Sequence, residues 1–479
     1  MTEITPPSEQ AAEILDFAEF SPSKTTKKAK QPSKMAAGSN IVTEDGAAQR
    51  FVEMYADKLR YCHTTGAWFE WDGISWKQDT KGLAFYWARK LARELAVTQP
   101  DKVRYMASKT SFASGVDRFA RTDPALAVTA EVWDEDTFLF GTPNGTVDLR
   151  TGKLRPSVPK EGITRLSAVS PAETADCPQW LAFLDQITCG DAELIRFLQQ
   201  WCGYSLTGDT TEQTLVFGCG PGGNGKGVFV NTVSGIFGDY AVTAAMDTFT
   251  ESKFTKHSTE LAMLRGARMV TASETEEGRP WAESRIKQLT GGDKITARFM
   301  HKDNFTYIPH FKLTIIGNHH PVLRTVDDAM RRRFRIVPFM HKPAKPDPHL
   351  EAKLKAEWPQ ILRWMIEGCL DWQKNRLIKP KAIAETTETY FADQDLFGSW
   401  LEEECDTDPG NASKWESAAR LYAEWAMFAQ NAGETPGTAK TFAAEMGRRG
   451  FARHRARSAG KIVRAFKGIR LAPKSSDAL

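Results

Sequence analysis

Residues 215–231 read LVFGCGPGGNGKGVFVN: an apolar run, a cluster of glycines, a single lysine, and a stretch from Val228 to Phe237 able to form a helix. Gly220, four intervening residues, Gly225 and Lys226 have the spacing of a loop that holds phosphate. A helix entered from a tight glycine turn leaves its first N–H groups unpaired and aimed at one small volume, which suits an anion. Glycines let the main chain curl around β- and γ-phosphates, and the lysine adds a point charge. Gly220, Gly222, Gly223, Asn224, Gly225, Lys226 and Gly227 are therefore the candidate contacts for ATP. A plain glycine-rich connection also accounts for the composition, but not for a lysine at this offset between a strand and a helix. Gly227 stands where a serine or threonine normally offers its hydroxyl to Mg2+, so the metal would be held partly by other ligands or by water.

Two further segments supply groups that such a loop needs. In ARMVTASETEEGRPW, Met269 to Ala272 reads as a buried strand, followed by Glu274 and Glu276 at its carboxyl end, where open α/β sheets place their ligand chemistry. Glu274 can polarise an attacking water, and Glu276 can join it in holding Mg2+; a pair of solvated glutamates is the alternative. In FKLTIIGNHHPVLRTVDDAMRRRFRIVPF, Leu313 to Ile316 reads as a strand and Asn318 emerges just past it, an uncharged amide able to orient water or touch a γ-phosphate. Arg331, Arg332 and Arg333 precede a second apolar run, Ile336 to Phe339; they are either a solvated helix end or charges directed at a neighbouring subunit's phosphates. Between these segments, KITARFM and FTYIPHF read as a β-hairpin with His301, Lys302, Asp303 and Asn304 at its tip.

The elements that would position these groups can be traced along 479 residues, enough for several domains. Residues 1–40 are rich in Ser, Thr, Pro and Lys and are expected to be disordered. An aromatic-rich α+β region is expected over 41–170, with turns at Asp72-Gly73 and Asn144-Gly145. Apolar spacings of three and four in CPQWLAFLDQI and DAELIRFLQQWCGYSLTG predict two helices, a helical collar over 171–205, before the loop strand. The core would occupy 206–345, a helical segment 346–400, and a basic domain 401–479. From Lys440 onward eleven Lys or Arg face two acidic residues, although the whole chain carries only +3. A solvated surface could hold that charge. Nucleic acid explains it better, because a helical stretch is followed by a basic strand pair turning near Ser458, which is how a winged helix reads, with Arg453, Arg455 and Arg457 as candidate DNA contacts.

Composition excludes other classes. A 41% hydrophobic and 26% charged chain without a long apolar run or an N-terminal apolar signal core is expected to be soluble, cytoplasmic and independent of membranes. Seven cysteines without a C-x-x-C pair indicate packed thiols rather than zinc or disulfides. Asp134 and Asp136 lack companions to complete a metal site.

Taken in order, the phosphate loop, SETEEG, IKQLTGGDKITAR, FKLTIIGNHHP and RRRFRIVPF closely resemble superfamily 3 helicases of the phage and plasmid primase-helicase type, similar to the poxvirus primase-helicase. The resemblance spans about residues 125–345. It implies an α/β fold with an AAA+ P-loop core, a parallel sheet flanked by helices, assembling as a homo-hexameric ring that moves along DNA by hydrolysing ATP with Mg2+. By position, Lys226 matches the P-loop lysine, Glu274 the Walker B carboxylate, Asn318 sensor 1, and Arg332 and Arg333 the paired arginines that include the finger. The family's hairpin contacts single-stranded DNA in the ring channel, which makes Lys302 the expected phosphate contact with His301 and Arg298 beside it. Members often carry an N-terminal primase domain, and too little sequence precedes residue 200 here for one, so priming is not expected of this chain and a separate primase is a candidate partner. The expected function is a replicative DNA helicase of a phage, prophage or plasmid. A rival is an initiator whose ATPase only controls assembly on a duplex origin gripped by the C-terminus. A packaging motor fits the TGGD and GNHHP segments less well.

Overall fold

The computed structural model describes residues 42–251, 259–273, 279–300, 303–319, 321–323, 327–411, 413–458 and 461–472. It opens with α1 (Glu44–Tyr55), β1 (Leu59–Cys62), β2 (Ala67–Trp71) and β3 (Trp76–Gln78), then α2 (Leu83–Ala96), α3 (Asp101–Ala107) and α4 (Thr110–Arg121), and the short β4 (Ala127–Val128). The four strands form one sheet in the order β3-β2-β1-β4. The turn at Asp72 forms as expected, its Oδ1 accepting from the N–H groups of Ile74 and Ser75 at 2.8 Å each. The turn near Asn144 falls one residue earlier than expected. Strands β5 (Leu139–Thr142) and β6 (Gly145–Asp148) join through Pro143 and Asn144, and Gly145 opens β6 because a Cβ there would lie 2.3 Å from the Arg155 carbonyl of β7 (Lys153–Arg155).

Burial divides the chain differently from its composition. Phe51, Leu91, Phe112 and Val116 belong to one core, whereas Phe140, Val147 and Leu149, grouped with them in the sequence, join the core built on the helices that follow. Those helices are α5 (Pro178–Thr188) and α6 (Ala192–Leu206), at the spans the apolar spacing predicts. Cys189 departs from the expectation of packed thiols: it follows α5 as a left-handed cap and is exposed, while the other six cysteines are buried.

The central sheet uses β8 (Leu215–Cys219), β9 (Ala241–Thr243), β10 (Met269–Ser273), β13 (Lys312–Gly317) and β14 (Phe334–Pro338) in the order β14-β8-β13-β10-β9. Every pairing in it is parallel. Strands covered on both faces become near-continuous apolar runs, as in LVFGC, MVTAS and KLTIIG. Strand β14 starts two residues before the expected Ile336, since Phe334 is fully buried opposite Leu215. Between these strands lie α7 (Lys226–Phe237), α8 (Thr259–Met263), α9 (Glu283–Thr290), the hairpin strands β11 (Ile295–Arg298) and β12 (Asn304–Tyr307), and α10 (Asp328–Arg331).

After the sheet come α11 (Leu350–Ala356), α12 (Trp358–Asn375) and α13 (Lys381–Gln394). Helices α6 and α12 cross where glycines face backbone: a Cβ on Gly203 would lie 2.1 Å from the Cys369 N, and one on Gly368 2.1 Å from the Gln199 O. Two buried cations satisfy the carbonyl end of α6. Arg268 donates to the Leu206 and Leu139 carbonyls at 2.6 Å each, and Lys312 Nζ donates to the carbonyls of Thr207 and, at 3.1 Å, Asp209. These bonds fix α6 against the starts of β10 and β13, at the end of the sheet away from the loop.

The C-terminal part comprises α14 (Leu396–Glu404), β15 (Cys405–Thr407), β16 (Trp415–Ser417), α15 (Ala418–Asn431), α16 (Ala439–Arg448), β17 (Arg453–Ser458), β18 (Lys461–Lys467) and β19 (Ile469–Leu471). Strands β16, β18 and β17 form one sheet in that order, and β15 pairs with β19. Phe397, Trp400, Trp425, Phe442 and Phe466 fill a core of its own. Among the described residues no helix is long and apolar enough to cross a membrane.

Candidate functional site

The loop from Gly220 to Gly225 leaves the carboxyl end of β8 and runs directly into α7, which begins at Lys226. Gly220, Gly223 and Gly225 have φ values of 144°, 78° and 85°, a backbone that only glycine adopts readily. Two of them are also sterically required. A Cβ on Gly220 would lie 2.1 Å from the Phe339 carbonyl, and one on Gly225 2.7 Å from Ile187 Cγ2 on α5. Gly222 and Gly227 face open space. No backbone N–H from Gly222 to Val228 has an acceptor within the described protein, so a row of donors converges at the start of α7. That donor set fits a polyphosphate.

Lys226 is buried beneath this row, and its Nζ donates to the Gly220 carbonyl (2.6 Å), the Pro221 carbonyl (3.3 Å), Asn224 Oδ1 (3.0 Å) and Asn318 Oδ1 (3.1 Å). Burial pulls its pKa below the ordinary lysine value, which marks a charge held where solvent screens it little. Asn224, also buried, donates its Nδ2 to the Phe339 carbonyl and so ties the loop to the end of β14. Strand order explains why Asn318 arrives here: β13 lies beside β8, Gly317 pairs with Cys219, and the next residue lands beside the loop. Strand β10 is the next strand over, and Ser273 at its carboxyl end is partnered with Ile316. Glu274 and Glu276, the expected water-activating and Mg2+ carboxylates, lie outside the described residues. Among the described residues no three His, Cys, Asp or Glu side chains gather as a metal site. Asp136 instead takes both guanidinium nitrogens of Arg150 at 2.8 and 3.0 Å, and Asp134 accepts from Thr164.

The three arginines after α10 separate. Arg331 pairs with Glu388 on α13 at 2.7 Å. Arg333 is buried, its Nε bonded to Thr290 Oγ1 at 3.1 Å and its Nη1 to the Ala329 carbonyl at 2.7 Å. Arg332 is exposed and has no carboxylate partner among the described residues. In the hairpin, Asn304 is not at the tip as expected but pairs with Arg298, so the connection is 299–303. Arg298 is exposed at the ladder's end, while His301 and Lys302 lie outside the described residues. The sequence reading missed that Phe299 and Met300 stand exposed beside them, Phe299 stacked on Phe305 at 5.4 Å; the FM pair in KITARFM was the available signal.

The basic strand pair is also sorted by the structure. Arg453, Arg455 and Arg457 are all exposed and share one side of β17. Arg455 lies directly across from Arg464 of β18, a like-charge pair that destabilises a sheet unless an anion offsets it. Arg449, by contrast, is committed to Asp395 at 2.5 and 2.8 Å and to Glu445 at 3.0 Å.

The fold and site define an α/β protein with a glycine-rich loop of unpaired N–H groups, among the described residues, at the carboxyl edge of a parallel sheet, extended by a helical and a basic α+β part. A family described as D5 N terminal like matches residues 48–189, and a family of unknown function, DUF5906, matches 219–333. A protein of Acanthamoeba polyphaga mimivirus named a "Putative helicase" is 27% identical over 296 residues, 56% of this chain and 30% of that protein. Another so named, from Frog virus 3 (isolate Goorha), is 25% identical over 252 residues, 48% of this chain and 26% of that protein. The matched segment thus spans under a third of these curated relatives. The A-form apo structure of the NrS-1 C-terminal region shares the fold at 12% identity, with a TM-score of 0.51 over 89% of this chain and 100% of that one. These matches bear out the resemblance: over the matched segments the chain is similar to primase-helicase-like proteins of the phage and viral kind.

Proposed function

We propose that the chain is an ATP-dependent replicative DNA helicase that hydrolyses ATP at the subunit interfaces of a homo-hexameric ring. The observation that carries this reading is the meeting of Lys226 and Asn318 beneath the unpaired N–H groups of the loop. In it the loop amides and Lys226 hold the β- and γ-phosphates, Asn318 orients the attacking water, Glu274 activates it, and Glu274 with Glu276 holds Mg2+. Gly227 has no side-chain hydroxyl to offer the metal. Arg332, exposed and without a carboxylate partner among the described residues, acts as the finger in the neighbouring subunit's site, and buried Arg333 holds the turn that presents it. The hairpin carrying Arg298, His301 and Lys302 grips single-stranded DNA, and α16 with β17 and β18 forms a winged helix for duplex DNA.

The exposed arginine face of β17, with Arg455 opposite Arg464, equally favours a second reading, an initiator that uses ATP only to assemble on an origin. Strand displacement on forked and tailed duplexes, with and without ATP, separates the two. The helicase reading predicts ATP-dependent displacement that Lys302→Ala sharply reduces while ATPase activity without DNA and duplex binding persist. Displacement absent on every fork tested selects the initiator, and wild-type displacement by Lys302→Ala removes the hairpin from the channel.

A further inference from the structure

One basic span of this chain takes no part in the reading above. Between residues 81 and 121 stand nine Lys or Arg against three acidic residues. This span is α2, α3 and α4, far in sequence from the loop, the hairpin and the C-terminal strands. We propose that the outer face of α2 and α3 is a binding surface for single-stranded DNA. The proposal does not depend on ATP chemistry at the loop.

Helix α2 shows why the face is available. Ala84, Ala88, Leu91, Ala92 and Ala96 turn inward and are buried. On the other side Tyr86, Arg89, Lys90, Arg93 and Val97 form one stripe at helical spacing, which with Glu94 lines a shallow groove. From Tyr86 to Val97 the stripe runs about 16 Å at 1.5 Å per residue, long enough for several successive phosphates. Lys90 has Glu94 within 3.7 Å, but Arg89 and Arg93 have no carboxylate partner among the described residues. The groove therefore keeps a net positive charge.

Aromatic rings accompany these cations. Tyr86 is 51% exposed with the Arg89 guanidinium 5.5 Å from its ring centre, and Tyr105 on α3 is 65% exposed with Lys109 Nζ at 4.7 Å. Each pair leaves ring surface open beside a phosphate-binding charge. A duplex keeps its base faces stacked inside, whereas a single strand can lay a base on a tyrosine and its phosphate on the adjacent cation. An acidic protein segment would use the charges but would leave the open ring faces without a flat partner.

Two measurements on the full chain test this. Bromodeoxyuridine-substituted oligothymidine is cross-linked by ultraviolet light and the attached peptides identified; adducts are expected at Tyr86 or Tyr105. Fluorescence anisotropy then follows oligothymidine binding across a salt series. The Tyr86→Ala/Tyr105→Ala double variant should bind about fivefold or more weakly, and the corresponding Phe variant should retain binding. The Arg89→Ala/Arg93→Ala variant should lose up to about 1.4 from the log–log salt slope, ~0.7 per phosphate contact on a single strand. Duplex affinity and DNA-free ATPase activity should not change. Wild-type affinity and slope in both variants, with no adduct in these helices, would overturn the proposal. So would an equal loss of affinity for duplex, which would remove the preference for single strands.

Discussion

Neighbouring arginines at residues 332 and 333 have opposite circumstances, and this decides what each can do. Arg333 satisfies Thr290 Oγ1 and the Ala329 carbonyl from a buried position, so its removal leaves acceptors without donors. Arg333→Ala should cost about 1–3 kcal/mol of stability. Arg332→Ala, at an exposed position, should stay within about 0.5 kcal/mol of wild type. Denaturant melts of the two variants check this, and equal losses would mean that the turn does not distinguish them. The sequence alone could not make the distinction, because RRR carries no signal of which guanidinium turns inward. It did place the lysine, the glycines and Asn318 at one end of the sheet, since their positions follow from chain spacing and strand ends. The clash that requires Gly220, by contrast, comes from the Phe339 carbonyl more than a hundred residues away.

At the scale of elements, the sheet stands on α6 and α12, and one carboxylate joins those helices. Asp371 on α12 takes the Arg196 Nε and Nη2 of α6 at 2.8 Å each and accepts further bonds from Gln200 and Asn375. Its bond with Arg196, supported by the two amides, holds its pKa down at about 2, from an ordinary 3.8. Unfolding returns the group to the higher value, so between about pH 5 and pH 2 the unfolded chain binds more protons and stability falls as pH falls. Because Arg196 is 46% exposed, solvent screening reduces the contribution to about 1 kcal/mol. Asp371→Asn should be less stable than wild type at pH 7 by about that amount, with the difference narrowing toward pH 2. A gap that stays constant across that range in urea melts would show that Asp371 acts through packing alone. The two helices themselves were legible from apolar periodicity. Their partnership was not: Gly203 and Gly368 meet only because distant backbones touch. Composition also did not show that Phe140, Val147 and Leu149 join the core containing α6 and α12 rather than that of the preceding strands and helices.

For the whole molecule, the proposed ring makes an active site the joint property of two subunits, with the loop from one and Arg332 from its neighbour. Subunits carrying Lys226→Ala and subunits carrying Arg332→Ala should each be inactive alone. Mixed, they should regain part of the ATPase activity, because some interfaces then combine an intact loop with an intact arginine. A mixture no more active than its components, once mixed rings are demonstrated, would place Arg332 in its own subunit's site or in none.

The central claim joins chemistry at the loop to work on DNA, and one comparison reaches it directly: the rate of ATP-dependent strand displacement on a single forked duplex by wild type and by Lys226→Ala. Removing the ammonium deprives the β- and γ-phosphates of their fixed charge while the loop amides, the hairpin and the basic strands remain. The account predicts clear displacement by wild type, at least about a hundredfold loss in the variant, and retained binding of the fork by both. Displacement by Lys226→Ala within about tenfold of wild type would contradict it.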